Sequence, residues 1–178
     1  MSKLKAEVIK YSKKLNITNL SALRSGNISV RANEKGVEGF YITPSGMKYS
    51  SLRIEDIVFV SLKGIFDKKK NKPSSEWRFH KDIYVNKKEA KAIVHAHSTC
   101  ATAVSSHKKN VPAFHYMVAV AGGEDLKCSK YATFGTKQLS NNIIKALKNR
   151  SACLIANHGQ VAFGTNLDKP FELAQELE

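Results

Sequence analysis

The sequence predicts one α/β layered domain whose central sheet is largely antiparallel. Three observations carry this expectation. Amphipathic helical patterns stand near both ends of the chain, at 2–15 and 167–178. Short apolar, β-branched runs bounded by turn residues are bunched between them. The first three of these runs follow one another through short connections, the pattern of a meander with antiparallel neighbours. A chain of 178 residues falls within the span of a single domain, 1–178. At that length hydrophobic burial suffices for folding without a disulfide or metal staple.

Each element follows from its own residues. Leu4, Val8, Tyr11 and Leu15 recur at spacings of three and four, with lysines between them, and predict a helix over 2–15. Alternation in Gly26–Ala32 predicts a strand. Gly39–Thr43 predicts a second, ended by the turn Pro44-Ser45-Gly46. Ile57–Ser61 is the third. Serine followed by an acidic residue in Pro73-Ser74-Ser75-Glu76-Trp77 marks the start of a helix running to about Asn86. Ala92–His97 reads as a buried strand, followed by a weaker helix from Ser98 to about Ser106. Thr136 is the candidate cap of a helix over 136–149 with the stripe Leu139, Ile143 and Leu147. Cys153–Ala156 and Val161–Phe163 form a strand pair around Asn157-His158-Gly159.

Composition narrows the function classes. Net charge is +14, from 29 Lys+Arg against 15 Asp+Glu. Only Arg24, Arg31, Arg53, Arg78 and Arg150 are arginines, and arginine is the richer residue for base and phosphate recognition. The densest basic run, Asp67–Lys72, reads as a solvated loop. No zinc-finger or aromatic RNA-binding pattern is present, so nucleic acid is not the expected partner. No stretch approaches the ~18 unbroken apolar residues of a membrane span, and no membrane partner is expected. Met1–Glu7 lacks an apolar signal-peptide core, which predicts a cytoplasmic location. Cys100, Cys128 and Cys153 are odd in number and lack a C-x-x-C spacing, which fits reduced thiols.

Three features carry chemistry. Residues at i and i+2 of a strand share a face, so His95 and His97 present both imidazoles one way, as two ligands of one metal ion require. The same pair also fits two incidental histidines at a strand end. His158, in a turn between two apolar strands, can supply a third ligand or simply face solvent. Ser74 and Ser75 at a helix N-terminus offer hydroxyls and backbone N–H groups to an anion such as phosphate. Glu76 beside them suits a fourth metal ligand or a general base; it equally suits a capping role. The turns Ser25-Gly26-Asn27 and Thr43-Pro44-Ser45-Gly46 add further N–H donors. His80 is expected to pack on a helix face, and His107 to lie on a surface loop.

Taken together, these residues resemble the class II aldolase/adducin family. The matching motifs are Gly26–Arg31, Ile42–Gly46, Pro73–His80, Ala92–His97, Pro112–Met117, Tyr131–Thr136 and Asn157–Gly159, in order along essentially the whole chain. The resemblance is nearest to the branch that cleaves L-fuculose 1-phosphate. It implies a three-layer α/β/α sandwich around a mostly antiparallel sheet. It implies one zinc ion per subunit held by His95, His97, His158 and Glu76, with Glu76 also catalytic. Gly26, Asn27, Ser45, Gly46, Ser74 and Ser75 match the pocket for the substrate phosphate. Tyr116 matches a catalytic tyrosine that reaches the site of a neighbouring subunit in a homotetramer. The implied reaction is reversible cleavage of a sugar phosphate to dihydroxyacetone phosphate and an aldehyde. Epimerases of pentulose phosphates, a methylthioribulose-phosphate dehydratase and aldolases of other deoxy-ketose phosphates share the scaffold. Members of the family continue past the position of Glu178 into a tail bearing a further tyrosine, which is expected to be absent here.

Overall fold

The computed structural model describes residues 2–178. Helix α1 (Ser2–Ile17) leads into β1 (Asn27–Glu34), β2 (Val37–Ile42) and β3 (Val58–Ser61). Next come α2 (Trp77–Asn86), β4 (Ala92–Ala96), α3 (Thr99–Ser105) and β5 (Cys128–Ser129). The chain closes with α4 (Lys137–Ala146), β6 (Ala152–Ile155), β7 (Gly159–Gly164) and α5 (Asp168–Leu177). The strands form one seven-stranded sheet in the order β3-β2-β1-β4-β7-β6-β5. Neighbours are antiparallel except β5 and β6.

The expected meander is present: Val30 pairs with Tyr41, and Phe40 with Val60. Strand β4 then inserts between β1 and β7, so Asn27 pairs with His95 and His95 with Val161. This register brings three distant segments of the sequence to one end of the sheet. The two residues of β5 carry too short a pattern to be read as a strand, and the sequence offers no sign of it. The 3-10 turns at Tyr49–Ser51, Ile54–Asp56 and Tyr116–Ala121 are likewise additions to the expected elements.

Strand alternation divides the core into two. Ile28 and Val30 of β1 and Ala92 and Val94 of β4 pack against Val8, Tyr11 and Leu15 of α1 and against Phe171 and Ala174 of α5. On the other face Phe40, Ile42, Ile93 and Val161 meet Phe79 and Ile83 of α2 and Leu139 and Ile143 of α4. The result is the three-layer α/β/α sandwich. Leu4, expected in the buried stripe of α1, is only half-buried.

Local chemistry sets the helix ends. Thr136 Oγ1 accepts from Leu139 N at 3.2 Å and caps α4 as its residue type predicts. The Glu178 carboxylate accepts from the N–H groups of Cys100 and Ala101 at 2.9 and 3.0 Å, placing an anion at the start of α3. The Tyr11 hydroxyl donates to Asp168 and ties α1 to α5. Asp67–Lys72 is exposed. Cys100 is exposed, Cys128 half-buried and Cys153 buried, all as free thiols. Among the described residues, no helix is long and apolar enough to cross a membrane.

Candidate active site

Three segments meet at the end of the sheet beneath the start of α2. His95 comes from the end of β4, and His97 lies one residue beyond that strand. His158 sits in the turn between β6 and β7, where Ile155 pairs with Gly159. The turn can lie this close only because residue 159 is glycine: a Cβ there would fall 2.3 Å from the Ala96 carbonyl oxygen. Gly26, with φ +78°, makes a similar approach on the other side, where a Cβ would lie 2.6 Å from His95 O. The buried Tyr49 hydroxyl, donating to Gly26 O at 2.6 Å, holds that turn in place.

The three imidazoles converge on Glu76. His95 Nε2 stands 2.8 Å from His97 Nε2 and 3.0 Å from Glu76 Oε2, and His158 Nε2 stands 3.3 Å from Glu76 Oε1. One potential ligand atom from each of the four residues lies within 4.8 Å of all the others. Proton bookkeeping then limits what can fill the centre. His95 Nδ1 lies 2.7 Å from the Gln160 carbonyl oxygen, which only accepts, so Nδ1 carries the proton and the Nε2 lone pair faces inward. A lone pair facing a carboxylate at 3.0 Å repels it unless a proton or a cation lies between. One proton cannot satisfy both the Glu76 and the His97 contacts, whereas one metal ion can satisfy all four groups.

Two further observations fit a metal. Glu76 Oε1 is buried without a hydrogen-bond partner. The observed 2.8–3.3 Å separations also suit ligand atoms on one small cation, since bonds of about 2.0–2.1 Å in a tetrahedron put them ~3.3 Å apart. Burial first, and crowding against the neighbouring His95 second, pull His97 down to about 3 and His158 to about 4, so both stay neutral, as metal ligands must be. Burial pushes Glu76 upward, but the adjoining histidines, His95 foremost, outweigh it and hold the carboxyl well below the usual carboxylate range.

A cleft of about 370 Å³ opens beside this cluster. Glu76, His97 and His158 form part of its wall; His95 is fully enclosed behind them. Gly26, Asn27, Ser45, Gly46, Ser74 and Ser75, all expected around a phosphate, line the cleft too. A bridge between Pro44 and Pro73 brings the two serine-bearing segments together. Ser74 Oγ accepts from Asn27 Nδ2 at 3.1 Å and from Glu76 N at 3.3 Å, which leaves its own proton to donate.

Some expectations need correction. Glu76 occupies the cap position of α2, but its side chain makes no capping bond and belongs to the histidine cluster. The N–H groups of Ser74, Glu76 and Trp77 are already engaged, by Thr43 O, Ser74 Oγ and Ser74 O. Ser45 N is engaged as well, by Lys72 O, so the donors facing the cleft here are chiefly the serine hydroxyls. His80 does more than pack on its helix face: both ring nitrogens have polar partners in β1. Tyr116, expected at a neighbouring subunit's site and not its own, needs no such correction: it is 79 % exposed outside this chain's cleft, its ring against His115.

Sequence reasoning also passed over three residues of the cleft. Arg24 lines it and donates to Gly46 O at 2.9 Å, bringing a cation to its rim. Its scarcity among the lysines, one step from Ser25-Gly26-Asn27, was the available signal. Tyr131 and Phe134, exposed aromatic side chains, line the cleft as well.

Comparison with known proteins agrees with this architecture. Residues 6–178 match the family model described as "Class II Aldolase and Adducin N-terminal domain". The chain is 42% identical over 175 residues to the 5-methylthioribulose-1-phosphate/5-deoxyribulose-1-phosphate aldolase of Rhodospirillum rubrum, covering 98% of this chain and 77% of that protein. It is also 42% identical over 177 residues to the L-fuculose phosphate aldolase of Escherichia coli K12, covering 99% and 80%. A solved structure of an L-fuculose 1-phosphate aldolase superposes with a TM-score of 0.92 at 40% identity, covering 99% of this chain and 82% of that one. The chain belongs to the class II aldolase and adducin family.

Proposed function

We propose that this protein is a metal-dependent aldolase that cleaves a 2-ketose 1-phosphate to dihydroxyacetone phosphate and an aldehyde. L-Fuculose 1-phosphate is the leading substrate, giving L-lactaldehyde. The observation that carries this reading is the shared cleft: the Glu76–His95–His97–His158 cluster and the hydroxyl-rich pocket of Ser45, Ser74 and Ser75 open into one space. A phosphate in the pocket places the first carbons of a sugar beside the cluster.

The chemistry follows from the bond to be broken. Loss of the C4 hydroxyl proton and scission of C3–C4 leaves the electron pair on C3, spread onto the C2 oxygen as an enediolate; protonation at C3 completes the product. A divalent ion held by the three histidines and Glu76, zinc by preference, supplies Lewis-acid stabilisation of that negative charge. Glu76, whose carboxylate faces both the histidines and the cleft, is the residue that exchanges the proton at C3. The serine hydroxyls, with Ser74 held in place by Asn27, fix the phosphate, so that binding energy serves orientation. Tyr116, supplied by a neighbouring copy in a homotetramer, handles the proton at the C4 oxygen; its exposure in the single chain accords with that role. No lysine Schiff base is needed.

A five-carbon substrate has equal support from similarity, since the relative named for 5-deoxyribulose 1-phosphate is as close as the one named for L-fuculose phosphate. The test compares kcat/KM for L-fuculose 1-phosphate, 5-deoxyribulose 1-phosphate and unphosphorylated L-fuculose. The reading expects L-fuculose 1-phosphate to lead and the free sugar to be a very poor substrate. A faster five-carbon ketose would reassign the substrate within the same chemistry. Equal rates with free sugar would remove the phosphate pocket from the account.

A further inference from the structure

One buried histidine takes no part in the chemistry above. His80 on α2 is 0 % exposed, enclosed between Phe79 and Phe40. Its Nδ1 lies 2.7 Å from Ser29 Oγ, and its Nε2 is in close contact with Asn27 Oδ1. Ser29 Oγ lies 2.8 Å from the Tyr84 hydroxyl. On the far side of Asn27, Nδ2 donates to Glu76 Oε2 at 3.0 Å and to Ser74 Oγ at 3.1 Å. A continuous hydrogen-bonded chain thus runs from Tyr84 through Ser29, His80 and Asn27 to Glu76.

One arrangement of protons satisfies every link. A carboxylate only accepts, so Asn27 must turn its NH₂ to Glu76 and its carbonyl to His80. That carbonyl also only accepts, so the His80 ring proton sits on Nε2. Burial pulls His80 down to about 3, leaving the ring neutral. Nδ1 is then an acceptor and takes the Ser29 proton, while Ser29 Oγ takes that of Tyr84.

We propose that His80 is a positioning residue: its Nε2–H holds the Asn27 amide in the one orientation that provides donors to Glu76 Oε2 and Ser74 Oγ. Without that donor the amide is free to turn over. Its oxygen would then face the Glu76 carboxylate, acceptor against acceptor, and Ser74 could keep the contact only by turning its own proton away from the phosphate pocket. His80 thereby couples the metal cluster to the phosphate pocket without touching either ion or substrate. The activity arm of its test rests on the function proposed above; the other arms do not.

The first arm is long-range proton–nitrogen NMR of the intact wild-type protein at neutral pH. The proton is expected on His80 Nε2, with Nδ1 bare; a proton on Nδ1 overturns the proposal. The second compares His80→Phe, which keeps a ring of similar size and removes the donor, with His80→Gln, whose amide N–H can stand near the place of Nε2. His80→Phe is expected to lower kcat and the affinity for zinc, measured by chelator competition, by roughly 10–100-fold. His80→Gln is expected to recover most of both losses. Equal losses in the two variants, tracking a common fall in melting temperature, would make His80 a packing residue only. Absence of aldol cleavage by the wild-type protein would defeat the proposed function, while zinc affinity and the tautomer would still decide this one.

Discussion

Asn27 Nδ2 donates to Glu76 Oε2 at 3.0 Å, joining the first residue of β1 to the residue that precedes α2. One amide therefore serves both halves of the candidate site, because it also reaches Ser74 in the phosphate pocket. Asn27→Asp keeps the size and replaces this donor with a second carboxylate facing Glu76. Leaving a buried acceptor against an acceptor costs about 1–3 kcal/mol, so kcat/KM for the ketose phosphate is expected to fall roughly 10–100-fold. Steady-state kinetics checks this, and an unchanged kcat/KM would show that the amide contact carries no functional weight.

Glu76→Gln removes the base and keeps most of the shape. The three histidines remain, so a metal is expected to stay bound, with lower affinity. Turnover is expected to drop by about 10²–10⁴, the usual contribution of a general base. Metal analysis beside the rate assay separates loss of the base from loss of the ion. A rate near wild type would take the proton-transfer role away from Glu76.

Acid should weaken the site and the fold together. His80, His97 and His158 have an ordinary value of 6.5 and are pulled in the folded chain to about 3, about 3 and about 4, first by burial and then by crowding against His95. The unfolded chain therefore binds more protons between these values. The stability they supply is present in full above pH 6.5 and is lost as pH falls toward 4 and below. Each such histidine contributes a slope of up to about 1.4 kcal/mol per pH unit within that window. Melting temperatures from pH 7.5 down to pH 4.5 should fall steadily, and bound metal should be released over the same range. A flat profile would mean that these imidazoles keep their ordinary value in the folded chain.

Tyr116 offers a test of a site shared between chains. Its exposed ring lies outside its own cleft, and the reading places it in that of a neighbour. Tyr116→Phe and Glu76→Gln proteins should each be nearly inactive. Mixed under conditions that exchange subunits, they should regain part of the activity, because some sites then combine an intact Tyr116 with an intact Glu76. Absence of recovery despite proven exchange would place Tyr116 outside the reaction.

The sequence made the local patterns legible. The stripe of α1, the Thr136 cap and the meander of β1–β3 are short-range features, and each stands where its spacing predicts. The His95/His97 pair was legible for the same reason. What sequence spacing could not decide was the fate of Glu76, since a capping glutamate and a metal-facing one carry the same local pattern. In the fold the Glu76 side chain makes no capping bond and lies against His95 and His158. The polar contacts of His80 were hidden because its partners, Asn27 and Ser29, lie 53 and 51 residues away. Tyr131 and Phe134 reach the cleft from a segment without regular structure, where no periodicity marks them.

Release of dihydroxyacetone phosphate from L-fuculose 1-phosphate and from 5-deoxyribulose 1-phosphate, before and after chelation and again after zinc is restored, tests the central claim most directly. The account predicts release from at least one of the two, its loss with the chelator and its return with the metal. Release that survives complete metal removal, or no release of either kind from a fully zinc-loaded and folded protein, would contradict it.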